Sequence, residues 1–374
     1  MAGLAVAGEL RDEVRDEVGP AGAADDAGLR ALLRRSALPG PVRVAFTREP
    51  SVFAADGLAG GREYTVVARR DGRAVGMGRC SVHALTRNGT ACRIGYLSAL
   101  RVEPGLPGSA RLLRMGYEDL TRRLAGRVDG CVSSIGADNM RARRILERGR
   151  RIGLPEYQPL GDLVTLVAPV TRWRGLASVA DAAMRRDEAG ELHGFLRDHA
   201  CRTNLALAWE PWQWQGLAGQ GTPADMQLVR QRGAIVAAGA VWDQRAFRQV
   251  VIDGYEGVLR VARPLVNLAR SLARHPALPP PGTVLAQGAV LGASVSEPGQ
   301  WPKLWPLLAA RGARLGLDWL SLSRDARDPG LPILRRLTAA REYRTTVYAV
   351  GWPGGPSWPD DWDGRLLRPE AGLL

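Results

Sequence analysis

Residues 97–117 read LSALRVEPGLPGSARLLRMGY. Leu97 to Val102 is an apolar, strand-like run. EPGLPGSA is a Pro/Gly loop, and the run after it has an apolar face and a basic face at helical spacing. Such a loop is either a tight connection or a phosphate cradle. The first amides of a helix have no partner in the helix, and the helix dipole favours an anion there. Gly105, Gly108 and Ala110 keep the backbone approachable, Ser109 suits an N-cap, and Arg111 and Arg114 lie within reach of a second phosphate.

The surroundings give the loop its place. Upstream, EYTVVARR and RAVGMGRCSV are joined by Asp71-Gly72, and Asn88-Gly89 leads into TACRIGYLSALRV, so three strands form a meander. Before them, DDAGLRALLRRS is a helix with Leu29, Leu32 and Leu33 on one face, and REPSVFAADGL reads as a second short helix. Downstream come the helix SARLLRMGYEDLTRRLAGR, the strand GCVSSI, the helix ADNMRARRILERGRR and the strand LGDLVTLVAPV. The order β-α-α-β-β-β-α-β-α-β predicts an α/β unit with a mixed sheet.

All eleven tryptophans lie at or after Trp173, which points to a second unit beginning near VAPVTRWRGLASV. Its order of elements parallels the first: MQLVRQRGAIVAAGAVW is a hairpin, TVLAQGAVLGASV a long strand, and QWPKLWPLLAARGARLG a helix. LDWLSLSR, DPGLPILRRLTA and YRTTVYAVGW close it as strand, helix and strand. The expected division is a flexible 1–11, a first unit 12–170, a second unit 171–355 and an irregular tail 356–374.

The chain has 374 residues, 51 Lys+Arg against 38 Asp+Glu, and a net charge of +13. Lys303 is the sole lysine, and the arginines are scattered, which favours a solvated basic surface over a nucleic-acid site. That lysine is in the wrong place for a Walker A loop, GMGRCS lies inside a strand, and no G-x-S-x-G elbow occurs. Cys80, Cys92, Cys131 and Cys201 have no zinc spacing and read as reduced, mostly buried thiols. No metal, membrane span or secretory leader is expected, and the expected location is cytoplasmic.

The element order and two local motifs resemble the GNAT superfamily of acyl-CoA-dependent N-acyltransferases. Gly108 and Ala110 match the last half of its Q/R-x-x-G-x-G/A loop, with Gly105 in the place of the Gln or Arg. Asn139-Met140-Arg141-Ala142 matches its N-x-x-A helix start. Four residues after that alanine, where the family often has an acid tyrosine, stands Leu146. The second unit resembles the fold only, because VSEPGQWPKL has no glycine cradle. The resemblance implies two tandem GNAT-like domains, each a mixed, mostly antiparallel sheet flanked by helices, the second degenerate.

It also implies a bulged fourth strand that splays from the fifth, with acetyl-CoA or another acyl-CoA as cofactor. Pantetheine would pair with Leu100, Arg101 and Val102, and pyrophosphate would meet the amides of Gly108, Ser109, Ala110 and Arg111. Asn139 and Arg143 would contact pantetheine or phosphate. The expected activity is transfer of an acyl group to a primary amine of a small molecule or peptide, by a monomer or homodimer. Tyr96 and Ser98 are the polar candidates for catalysis on the strand, with Tyr117 and Tyr157 as further acids. A non-catalytic CoA sensor and an aminoacyl-tRNA-dependent transferase are the alternatives. In the second unit, Asp243, Gln244, Arg245, Arg248 and Gln249 suit a cleft between the units. Trp209, Trp212 and Trp214 either wall an acceptor pocket or pack that interface.

Overall fold

The computed structural model describes residues 15–58, 60–173, 188–220, 225–272, 275–352, 354–355, 358 and 361–373. The expected flexible segment 1–11 lies outside them. The first half contains β1 (Asp16–Pro20), α1 (Asp26–Arg35), β2 (Val42–Thr47), β3 (Arg62–Arg70), β4 (Arg73–Arg87) and β5 (Thr90–Val102). It continues with α2 (Ser109–Leu124), β6 (Gly130–Gly136), α3 (Met140–Leu146) and β7 (Glu156–Pro169). The second half contains α4 (Ala189–Ala200), α5 (Pro211–Ala218), β8 (Gln227–Gln231), β9 (Ala234–Trp242), β10 (Gln249–Tyr255) and α6 (Leu259–Leu272). It ends with β11 (Gln287–Val295), α7 (Trp301–Arg314), β12 (Trp319–Asp325), α8 (Leu331–Thr338) and β13 (Arg341–Gly351).

The turn chemistry of the sequence sets the hairpins. Asp71-Gly72, Asn88-Gly89 and Arg232-Gly233 all have positive φ at both residues, the conformation a two-residue hairpin demands. Helix α1 forms where expected. Leu29, Leu32 and Leu33 are buried, each contributing about 1.5–3 kcal/mol.

The expected helix over REPSVFAADGL is instead a series of turns over 52–58. Its backbone is held by side chains: the Asp26 carboxylate accepts from Ser51 Oγ (2.7 Å) and Val52 N (2.8 Å). Arg79 donates to the Val52 carbonyl at 2.6 Å. Preceding it is an unexpected strand, β2, whose partner is β10 in the other half.

Eleven strands form one mixed, mostly antiparallel sheet in the order β1-β3-β4-β5-β6-β13-β7-β12-β11-β9-β8. The two parallel contacts, β5 with β6 and β11 with β12, hold equivalent places in the two halves. The last strands are exchanged. The first half's β7 pairs with β12, from Pro169↔Trp319 to Leu163↔Asp325. The second half's β13 pairs with β6, from Thr345↔Gly136 to Val350↔Cys131, and also with β7. A cut at 170/171 therefore divides the sequence into halves but does not divide the sheet. The core is shared in the same way, with Leu85, Ile94 and Tyr96 packed in one cluster with Leu192, Leu205 and Trp242. The expected irregular tail has neither helix nor strand over 361–373 but is docked, with Leu367 buried.

Candidate active site

Strand β5 pairs with β6 only from Ile94↔Gly130 to Leu97↔Ser133. Beyond Leu97 the two strands part. On the other side, the β4 register shifts between Met77 and Arg79, opposite Arg101 and Ser98. At this bulge Ala99 has φ +51°, a left-handed conformation that costs a residue with a Cβ about 1–2 kcal/mol. The bulge turns the edge of Ser98 to Val102 away from β6 and leaves it without a strand neighbour. Ser133 Oγ donates to the Leu97 carbonyl (3.0 Å) at the point of divergence. Arg101 donates to its neighbour, the Leu100 carbonyl, at 2.9 Å.

The loop after β5 delivers free amides. Gly105 (φ +75°) and Gly108 (φ +74°) are both left-handed. Gly108, rather than the expected Ser109, is the N-cap of α2, and Ser109 is the first helical residue. No side chain caps this end. The amides of Arg111 and Leu112 turn back to the Gly108 carbonyl, whereas those of Gly108, Ser109 and Ala110 have no acceptor among the described residues. Arg70, which the sequence reading missed, fixes the loop by donating to Pro107 O (2.9 Å) while paired with Asp16.

On α3, Asn139 Oδ1 caps the helix by accepting from Ala142 N (3.1 Å), and Asn139 lines the cavity described below. Arg143 does not line it. Its guanidinium is committed to Glu147 Oε1 (3.2 Å) and the Tyr348 hydroxyl (3.2 Å). The Tyr117 and Tyr157 hydroxyls bond each other at 2.8 Å in the cavity wall, near Leu146. Burial pushes the Tyr117 pKa up to about 12 and raises Tyr157 as well. Tyr96 donates to or accepts from Ser134 Oγ at 2.6 Å, and burial raises its pKa too. All three tyrosines are therefore protonated hydrogen-bond donors at neutral pH.

The split between β5 and β6 opens into a cavity of about 640 Å³ that runs under both halves. The first half contributes Tyr96 to Val102, Leu112, Leu113, Ser134, Asn139 and Tyr157. The second contributes Gln244, Arg245, Arg248, Gln287, Ser321, Ser323 and Tyr343. Five arginines line it (Arg48, Arg79, Arg101, Arg245, Arg248), and no Asp, Glu, His or Lys does so among the described residues. The two terminal nitrogens of Arg79 donate to Val52 O, Asp56 Oδ1 (2.8 Å) and Glu63 Oε2 (3.1 Å), while its buried Nε has no partner among the described residues. Arg245 is paired with Asp243 (2.7 Å). Gln249 instead clamps Thr47 and Glu49.

Trp209, Trp212 and Trp214 do not line the cavity. Trp209 is buried and packs edge-on against Trp214 with ring centres 5.9 Å apart. Trp209 and Trp214 serve the interior between the halves, whereas Trp212 is exposed. Arg48 was not singled out by sequence, because nothing local distinguishes it among so many arginines.

Structures with the same architecture support the fold reading. Over 94% of this chain and 87% of the other, it superposes on Saccharomyces cerevisiae N-myristoyltransferase with bound myristoyl-CoA, with a TM-score of 0.59 at 11% identity. A tandem GNAT protein from the clavulanic acid biosynthesis pathway gives a TM-score of 0.53 at 12% identity, covering 92% of this chain and 100% of that one. The fold is that of the GNAT superfamily. A GCN5-related N-acetyltransferase from Sphaerobacter thermophilus agrees, with a TM-score of 0.51 at 14% identity over 92% and 97% of the two chains. No protein-family model and no curated protein matches the sequence. The GNAT fold is present here in tandem, with the last strands of its two halves exchanged. Among the described residues no helix is long and apolar enough to cross a membrane.

Proposed function

We propose that this protein is an acyl-CoA-dependent N-acyltransferase whose first half holds the donor and whose shared cavity holds the amine acceptor. The observation that carries this reading is the junction of a strand edge without a neighbour, three free helix-start amides and a 640 Å³ cavity. An extended pantetheine arm fits such an edge as an added strand does. A pyrophosphate fits the amides of Gly108, Ser109 and Ala110, with Arg111 beside them. Leu100, Arg101 and Val102 form the edge, and Asn139 stands across the split. Bound there, acyl-CoA supplies an activated thioester, with acetyl-CoA the simplest donor. The apolar wall formed by Leu33, Leu38, Val44, Phe46, Val250 and Leu285 favours a second reading, a longer acyl chain.

The chain's own contribution is positioning and charge. Among the described residues no carboxylate or imidazole lines the cavity to take the amine's proton. The arginine-rich wall instead disfavours an ammonium ion, so that an amine enters or remains in its neutral, nucleophilic form. Tyr96, held by Ser134, and the Tyr117–Tyr157 pair are donors available to the carbonyl oxygen and the leaving sulfur, and the pair occupies the neighbourhood in which Leu146 has replaced the family's tyrosine.

The test is calorimetric titration with acetyl-CoA and longer acyl-CoAs, followed by thiol release across an amine panel. One donor site per chain and turnover are expected. No binding at about 1 mM, read also as an unchanged melting temperature, overturns the reading. Binding without turnover leaves a sensor.

A further inference from the structure

We propose that the acceptor amine carries a carboxylate or an equivalent anionic group, and that this group docks on Arg48 with Arg248 beside it. The inference rests on the acyl-transfer reading above and names the substrate class of its cavity. Strands β2 and β10 pair antiparallel, with Thr47 opposite Gln249 at their end. The next residues outward on the two strands are Arg48 and Arg248, so the register places two arginines opposite each other, and both line the cavity. Gln249 locks that end, accepting from Thr47 Oγ1 (3.1 Å) and Glu49 N (2.9 Å) and donating to Glu49 O (3.0 Å). Like charges facing across a strand pair are destabilising unless something neutralises them.

The nearby carboxylates are already used. Glu49 turns outward to Arg30 and Arg34, and Asp56 and Glu63 serve Arg79. Arg248 donates to the Gly372 carbonyl at 3.0 Å. Arg48 has no hydrogen bond or ion pair among the described residues, yet it lines the cavity. Burial, then the charges of Arg79 and Arg248, push its pKa down to about 9. A guanidinium fork without a partner, in a cavity that no carboxylate lines among the described residues, is matched by a planar bidentate anion. Arg248 and Tyr96 line the same cavity, so the anion site shares it with the hydroxyl at the head of the split. The free amides of α2 follow the far end of β5, beyond Val102.

The proposal is tested with amino acids, their carboxamides and matched aminoalkylphosphonates, on wild type, Arg48→Gln and Arg48→Lys. Wild type is expected to prefer the acids over the amides by roughly 30-fold or more in kcat/KM. Arg48→Gln should remove the preference through KM while the Kd for CoA stays unchanged, and Arg48→Lys should restore part of it. Phosphonates outperforming carboxylates would identify the anion as phosphate-like. Equal rates for acid and amide, or a preference that survives Arg48→Gln, overturn the inference with acyl transfer intact. If CoA does not bind, the acyl-transfer reading fails, and direct calorimetry with the same acids and phosphonates still decides the anion site. Binding lost in Arg48→Gln supports it, and no binding overturns it.

Discussion

The two splits in the sheet are built alike and put to different ends. Strand β5 enters its parallel contact at Ile94 and bulges at Ala99, whereas β11 enters at Gln287 and bulges at Gly292 (φ +62°). In the first half the freed edge faces a 640 Å³ cavity. In the second, the equivalent space is about 10 Å³. The C-terminal segment fills it. Glu370 accepts from Gly292 N at 3.1 Å, Arg368 donates to Ser294 Oγ at 2.7 Å and to Ala293 O, and Arg324 reaches Ala293 O at 2.8 Å. The helix start differs too. Helix α7 opens on buried Trp301 followed by Pro302, with no run of glycines, and Arg324 stacks over Trp301 at 4.5 Å. The second half thus keeps its strand bulge without a cavity or a glycine loop beside it, because the bulge still shapes the sheet.

The plug is the strongest place to break this comparison. Leu367, buried beneath it, should cost about 2–5 kcal/mol when changed to alanine, read by denaturant unfolding. Donor stoichiometry should stay at one per chain, since unplugging does not create free amides. Next comes alkaline stability. Tyr117 has a folded pKa of about 12 against an ordinary value of 10, so the folded state binds its proton more tightly. That stabilisation, about 2–3 kcal/mol, is complete below pH 10 and is lost between pH 10 and 12. Unfolding midpoints against pH should show a shallower alkaline fall in Tyr117→Phe.

Gly108→Val should weaken acyl-CoA binding at least about tenfold, because a branched residue resists φ +74° and the amides turn away. Gly299→Ala in the equivalent loop should leave binding unchanged in the same titration. The smallest effect sharpens the bulges themselves. Ala99→Gly should alter stability by less than about 1 kcal/mol, relief of the left-handed strain offsetting the added chain entropy. Gly292→Ala should be worse, since its Cβ would lie 2.7 Å from the Trp209 ring, and tryptophan fluorescence would report the shift.

What was legible in the sequence was local. The three turns with positive φ, the Leu29–Leu33 face and the Gly108 loop each depend on neighbours within a few residues. The exchange of β7 and β13 was not legible. LVTLVAP and TVYAVG are equally apolar, and either would satisfy either neighbour, so periodicity carries no information about the pairing. Strand β2 alternates well in VRVAFT, but its partner lies in the other half, and its side chains alone do not identify the pairing. The proposed anion site depends on that pairing. Arg48 and Arg248 meet only because Thr47 registers with Gln249.

The exchanged strands also have a consequence in time. Strand β7 is complete at Pro169, but its partner β12 begins at Trp319, roughly 150 residues later. At ordinary translation speed that is about 8–30 s on the ribosome. During that interval the first half lacks β13, and β7 has an apolar edge without its final neighbours. The Gly108 loop can fold early, but its sheet is closed only when the second half arrives, so the second half sets when the proposed donor site is finished.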